Sequence, residues 1–197
     1  MEPYFLTNHL AGLLITTTTA AWGMMELAQR TNGPRREGAT RIGGANHLIV
    51  VLTCLIATAA VVNLAPHVVP AAAIRPGAVA FAIGYPILLG GLVLRGWSFK
   101  TLGTYFTHVV MVSSDQPVIA SGPYRMLRHP SYTGILLAAL GLGLAAANWA
   151  GLAVLMLLVL TPLLVRIHNE ENALLATLGD KYRAYATTHK RLVPLVW

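Results

Sequence analysis

The sequence predicts an all-α, polytopic membrane protein with about five transmembrane helices. Three observations predict it. Only 11% of the 197 residues are charged and 55% are hydrophobic, against about 25% charged in an ordinary soluble domain, so this chain cannot cover a water-facing surface. The apolar residues fall in long, nearly uncharged runs, not in short alternating segments, and in lipid such runs must close their backbone hydrogen bonds internally as helices. Lys and Arg gather at the ends of these runs and between them, where they orient a chain and meet anionic headgroups.

The first span is Leu6 to Leu27, and the Thr16–Thr19 run inside it can bond back to the preceding turn. A polar loop from Gln29 to Asn46 follows, with Arg30, Arg35, Arg36 and Arg41, and with turns at Asn32-Gly33-Pro34 and Gly43-Gly44. The second span runs from His47 to about Ala65 and ends at Pro66; Pro70, Pro76 and a lone Arg75 mark the connection. The third is Gly77 to about Trp97, where Pro86 with Gly84, Gly90 and Gly91 predicts a kink and close helix packing. Ser98 to Pro130 is polar and irregular. Two apolar segments, Ser131–Ala147 and Trp149–Val165, are then separated only by Asn148, which demands an antiparallel hairpin. The last helix continues past the membrane surface, because Leu174, Leu175 and Leu178 keep helical spacing up to a C-cap at Gly179-Asp180. A basic tail with Tyr182 and Tyr185 ends at Trp197.

The chain thus divides into a three-helix transmembrane region, residues 1–97, and a C-terminal unit, residues 98–197, that gathers the polar side chains. With the loop Gln29–Asn46 in the cytosol, Ser98–Pro130 and the tail fall on that same side, and all Lys and Arg except Arg75 lie at or near it. The N-terminus is then outside and the C-terminus inside. The loops account for the net charge of +7, so it does not call for nucleic acid. The lone Cys54 can form no internal disulfide, and no His/Cys set suggests a metal.

Two polar clusters carry chemistry. In Gly122-Pro123-Tyr124-Arg125-Met126-Leu127-Arg128-His129-Pro130-Ser131-Tyr132-Thr133-Gly134, ionisable and aromatic residues abut the start of an apolar helix. Pro130 suits its first turn, and outward N–H groups of Ser131 and Tyr132 would attract an anion such as a carboxylate. In Arg166-Ile167-His168-Asn169-Glu170-Glu171, Arg166 and Glu170 are four apart and share a helix face at the membrane mouth. Taken singly, the first cluster also reads as an interfacial belt and the second as a surface ion pair. The hairpin brings both to one lipid–water boundary, where they can hold a zwitterionic cofactor beside an anionic, greasy substrate.

The run Arg128-His129-Pro130-Ser131-Tyr132-Thr133-Gly134, followed by a hairpin and Arg166-x-x-x-Glu170-Glu171, resembles the isoprenylcysteine carboxyl methyltransferase family. So do Phe106-Thr107-His108-Val109-Val110 upstream and Gly179-x-x-Tyr182-x-x-Tyr185 downstream. The resemblance spans roughly Leu94 to Pro194. Met111 and Gln116 stand where eukaryotic members have Gln and His. The resemblance implies that Gln116, Pro117, Val118 and Ile119 line a site for S-adenosyl-L-methionine. It implies that Tyr124, His129, Pro130, Ser131 and Tyr132 bind that cofactor, joined by Glu170 from the other helix, and that Arg166 holds the substrate carboxylate.

A carboxylate acceptor is ionised at neutral pH and needs no general base. Arg166 and Glu170 are therefore the expected catalytic pair, acting by orientation, with His129 placing the cofactor. The expected partners are membrane lipids and a lipophilic or prenylated substrate entering sideways from the bilayer. The helix-end architecture also resembles that of phospholipid N-methyltransferases and thiol S-methyltransferases, which are the alternative readings. A sterol-type reductase using NADPH is a more distant alternative, and a partner-binding membrane subunit is the non-enzymatic one. The small, Ala/Gly/Leu-rich make-up points to a bacterial inner membrane.

Overall fold

The computed structural model describes residues 3–32, 40–42, 47–105, 110–112 and 117–193. Among these are seven α-helices: α1 (Tyr4–Thr7), α2 (His9–Asn32), α3 (His47–Val68), α4 (Gly77–Leu102), α5 (Pro130–Ala145), α6 (Trp149–Leu178) and α7 (Asp180–Thr188). The expected helical runs are present, and several reach beyond their apolar cores. α2 continues past Leu27 to Asn32, and α4 continues past Trp97 to Leu102. Pro66 lies inside α3 and does not end it. Pro86 and Pro162 likewise sit inside α4 and α6, as packed apolar helices allow.

One element departs from the all-α expectation. Strand β1 (Thr40–Ile42) pairs antiparallel with β2 (Val110–Val112), with Arg41 opposite Met111. Each strand is three residues long, too short for a period-2 pattern to register in the sequence. The ribbon ties the loop after α2 to the segment ahead of the site.

α4 and α6 are each long and apolar enough to cross a bilayer, and α5 is an apolar helix of 16 residues. Leu10, Leu13, Ile83, Val93 and Leu157 are exposed on the outside of the bundle, a belt that suits hydrocarbon better than water. The core lies between the helices, with Leu88, Ala138, Ala145 and Leu155 fully buried. The Thr run behaves as its composition suggests: Thr16, Thr17 and Thr19 donate to Gly12 O, Leu13 O and Ile15 O at 2.8 Å. Thr18 instead meets the Tyr85 hydroxyl on α4 at 2.9 Å.

The α4–α5 contact is the tightest in the bundle, and glycines make it so. A Cβ on Gly84 would come within 2.5 Å of Gly141 O, and one on Gly91 within 2.5 Å of Ala138 N. Backbone meets backbone here, as small-residue interfaces permit. Gly90 has open space around it and takes no part.

At the tip of the α5–α6 hairpin, Asn148 caps α6 by accepting from Gly151 N at 2.9 Å and donates to Val69 O at 2.9 Å. At the other end of α6, Gly179 at φ +54 forms the expected C-cap, its N–H donating to Leu175 O. The 30-residue α6 is about 45 Å long, longer than the roughly 30 Å hydrocarbon core. It is therefore longer than a span requires, and α7 folds against its last turns.

Candidate active site

The polar residues converge where α5 begins and α6 leaves the apolar layer. Pro130 occupies the first turn of α5, as its missing N–H favours. The next two residues are buried, and the Tyr132 N–H is spent on the helix turn, donating to His129 O at 3.0 Å. The expected outward N–H of Tyr132 is therefore not available to an anion. The side chain of Tyr132 takes over that connection. Its hydroxyl donates to Glu170 Oε2 at 2.6 Å and accepts from Arg166 Nε at 2.5 Å. The Arg166 guanidinium also lies 5.7 Å from the Tyr132 ring centroid. The two chain-distant clusters thus meet through one phenol, and Tyr132 bridges Arg166 and Glu170.

Glu171, one residue on, faces a different group: two arginines and a histidine. This carboxylate is 6% exposed. Its Oε1 lies 2.7 Å from Arg128 Nη1 and 3.2 Å from His129 Nε2, and its Oε2 lies 2.8 Å from Arg191 Nη2. His129 also stacks on Tyr132, 5.4 Å between ring centroids and 13° between planes. Two neighbouring glutamates of α6 therefore hold two different parts of the α5 start.

The C-terminal tail closes over this segment. Arg128 N–H donates to Lys190 O at 2.7 Å, His129 N–H to Arg191 O at 3.0 Å, and Thr133 Oγ1 to Leu192 O at 2.7 Å. Tyr185 on α7 donates its hydroxyl to Tyr124 O at 2.8 Å, and burial pushes its phenol up to about 12, so the donor stays protonated. Tyr124 is itself buried in the turn Gly122–Arg125, and burial raises its phenol as well. Tyr182 is buried beneath Arg128, and burial together with the nearby Glu171 charge keeps its phenol protonated. Among the described residues, two buried polar side-chain atoms make no conventional hydrogen bond: Arg128 Nε and the Tyr182 hydroxyl.

The expected site residues fall into three groups. Tyr132, Arg166 and Glu170 are directly bonded, with His129, Pro130, Ser131 and Tyr124 around them. Val118 packs on the Ala173–Leu178–Tyr182 cluster beside the site, while Pro117 is exposed and Ile119 half-buried in the irregular stretch 117–120. Gln116, the run Phe106–Val109 and the side chains of Met111 and Cys54 lie outside the described residues. Sequence reasoning missed Glu26 and Arg95. Arg95 is buried on α4, binds both carboxylate oxygens of Glu26, and reaches Ser131 Oγ at 2.7 Å. The available signal was a charge set inside each of two apolar runs.

Residues 82–176 match the model of the isoprenylcysteine carboxyl methyltransferase (ICMT) family. A probable protein-S-isoprenylcysteine O-methyltransferase of Oryza sativa subsp. indica is 31% identical over 106 residues, covering 53% of this chain and 56% of the relative. The protein-S-isoprenylcysteine O-methyltransferase of Schizosaccharomyces pombe is 30% identical over 117 residues, 58% of this chain and 49% of that protein. The chain spans about half the length of the curated relatives it matches. Among solved structures, the eukaryotic intramembrane Ras methyltransferase ICMT superposes with a TM-score of 0.59 at 25% identity, covering 79% of this chain and 55% of that one. Its membrane fold and the apolar belt described above agree that this is an integral membrane protein. The matched segment holds α5, Tyr132, Arg166 and Glu170, and over residues 82–176 the chain is similar to the isoprenylcysteine carboxyl methyltransferase family.

Proposed function

We propose that the chain is an S-adenosylmethionine-dependent carboxyl O-methyltransferase acting in the membrane on an isoprenoid or lipid-like carboxylate of the isoprenylcysteine type. The observation that carries this reading is the Tyr132 hydroxyl, bonded at 2.5 Å to Arg166 and at 2.6 Å to Glu170. It sets a cation for an anionic acceptor beside a carboxylate for a cationic, hydroxyl-rich donor. The residues present fit such a donor. Glu170 offers acceptor oxygens, and the Arg128 side chain and Tyr182 hydroxyl lie beside one another with no conventional hydrogen bond to Arg128 Nε or the Tyr182 hydroxyl among the described residues, so they can serve an acceptor group on a bound molecule.

When bound, S-adenosylmethionine supplies an activated methyl group on sulfonium sulfur. Transfer is an in-line displacement. Held by Glu170 beside a carboxylate oriented by Arg166, the donor would supply its methyl group to a carboxylate oxygen, the C–S electron pair returning to sulfur so that a methyl ester and a thioether would result. No proton moves, so the protein needs no general base. Arg166 spends one N–H on Tyr132, and its guanidinium orients the nucleophilic carboxylate. Glu170 anchors the donor. His129, stacked on Tyr132 and engaged by Glu171, fixes the ring that separates the two. Fixing both reactants at the correct angle is worth several kcal/mol, roughly 7–11 at the limit.

We read five spans from the helices α2 to α6, with the short α5 accommodated by local thinning or tilt of its neighbours. Residues 1–97 then form the three-helix region and 98–197 the methyltransferase core. The charge bias puts the N-terminus outside and the site at the cytosolic face, and the make-up suits a bacterial inner membrane. The acceptor reaches Arg166 sideways from the lipid.

The test is incubation of the purified chain in nanodiscs with methyl-labelled donor and either a prenylated cysteine or a membrane lipid extract. The expected product is lipid-soluble and loses its label as methanol in mild alkali. Alkali-stable label would make the acceptor an amine or thiol, and absence of label would end the methyltransferase reading.

A further inference from the structure

Arg95 is a buried cation that the mechanism above leaves unused. It is 6% exposed on α4. Its Nε and Nη2 face the two oxygens of Glu26 on α2, and Trp22 Nε1 steadies the same carboxylate at 2.9 Å. Its Nη1 turns the other way, to Ser131 Oγ at 2.7 Å and Ser131 O at 3.2 Å. The Phe99 ring lies 4.6 Å from the guanidinium carbon. One planar fork thus ties α2, α4 and the first turn of α5.

Gly134 makes this reach possible. A Cβ there would come within 2.9 Å of Arg95 N and 3.0 Å of Arg95 Cβ. The glycine that ends the run Arg128–Gly134 therefore lets α4 approach closely enough for Arg95 to hold Ser131. A buried ion pair is a poor adhesive, because apolar residues of the same volume do as well or better. What it supplies is direction, and here the direction is fixed one residue before Tyr132.

We propose that Arg95, set by Glu26, is a positioning residue for methyl transfer: it clamps the first turn of α5 so that Tyr132 stays between Arg166 and Glu170. The inference rests on the methyltransferase reading. It makes α2, which precedes the matched segment 82–176, a supplier of the working site through Glu26.

The test compares the full chain in nanodiscs with two variants, measuring S-adenosylhomocysteine binding, methyl-transfer kinetics and thermal unfolding on the same preparations. Arg95→Lys keeps a charge beside Glu26, but an ammonium cannot fork between Glu26 and Ser131. The double variant Glu26→Gln/Arg95→Met removes both charges of the pair and keeps the volume; because Glu26 also acts electrostatically on Arg166, Arg95→Lys, which keeps the Glu26 charge, decides between the outcomes. Both variants are expected to unfold close to the parent and to lose roughly tenfold in kcat, the effect of one charge-assisted hydrogen bond. An interaction that served only to glue helices would leave Arg95→Lys with the parent's kcat. Variants that match the parent's turnover, or lose it only in step with the folded fraction, overturn the positioning role. A parent that neither binds S-adenosylhomocysteine nor transfers methyl overturns the methyltransferase reading beneath it, a result separable from the first.

Discussion

The two ends of the α5–α6 hairpin solve the same problem, a polar group buried among helices, in opposite ways. At the tip, Asn148 is 1% exposed, and both its polar atoms close on backbone, to Gly151 N and Val69 O. Ala147 O is likewise taken by Ile74 N–H at 2.8 Å. No ion takes part. At the base, Glu170 and Glu171 face Tyr132, Arg128, His129 and Arg191, and among the described residues Arg128 Nε and the Tyr182 hydroxyl make no conventional hydrogen bond. A neutral node with nothing left over fixes geometry. A charged node with capacity to spare can also bind.

The sharpest way to break this comparison is Glu171→Leu. It strips the shared carboxylate from Arg128, His129 and Arg191 and leaves Arg128 largely buried without its anion. Removing one side of a buried pair costs about 3–5 kcal/mol, so denaturant unfolding of the purified chain should show a loss of that size. A variant as stable as the parent would mean the base is held by packing alone. Next in size is Glu170→Gln, which keeps an oxygen for Tyr132 but removes the charge. Methyl transfer should fall roughly hundredfold, the upper range for a charge-assisted hydrogen bond, while the unfolding midpoint stays near the parent's. The smallest effect is at the tip. Asn148→Ala should cost about 1–2 kcal/mol as a lost N-cap, yet leave the rate per folded molecule unchanged. A rate loss there would mean that the tip and base are coupled along the hairpin.

Much of this contrast is written locally in the chain. The apolar runs give the helices, and the single residue between Ala147 and Trp149 forces the hairpin that brings Tyr132 to Arg166. Asn148 could have been read as an N-cap rather than as a separator, since Asn ahead of an apolar helix is a favoured cap. The glycines of α4 announced close packing, but not which would be used; Gly84 and Gly91 meet α5 while Gly90 faces away. What stayed hidden depends on pairing across the bundle. Glu26 and Arg95 are 69 positions apart, and each alone looks like a charge near a span end. The tail's bonds to Arg128, His129 and Thr133 run through backbone atoms that every residue has, so no side-chain pattern marks them. The two neighbouring glutamates are chemically identical in sequence, and only rotation about α6 separates the one facing Tyr132 from the one facing Arg128, His129 and Arg191.

The glycine seam between α4 and α5 has a consequence for traffic. Where Gly84 meets Gly141 and Gly91 meets Ala138, main chains lie too near one another for a prenyl or acyl tail to slide through. That flank of the barrel of helices is shut like a zip fastener. The greasy acceptor proposed above would need its doorway on another side, with the shut flank as a fixed jamb beside it.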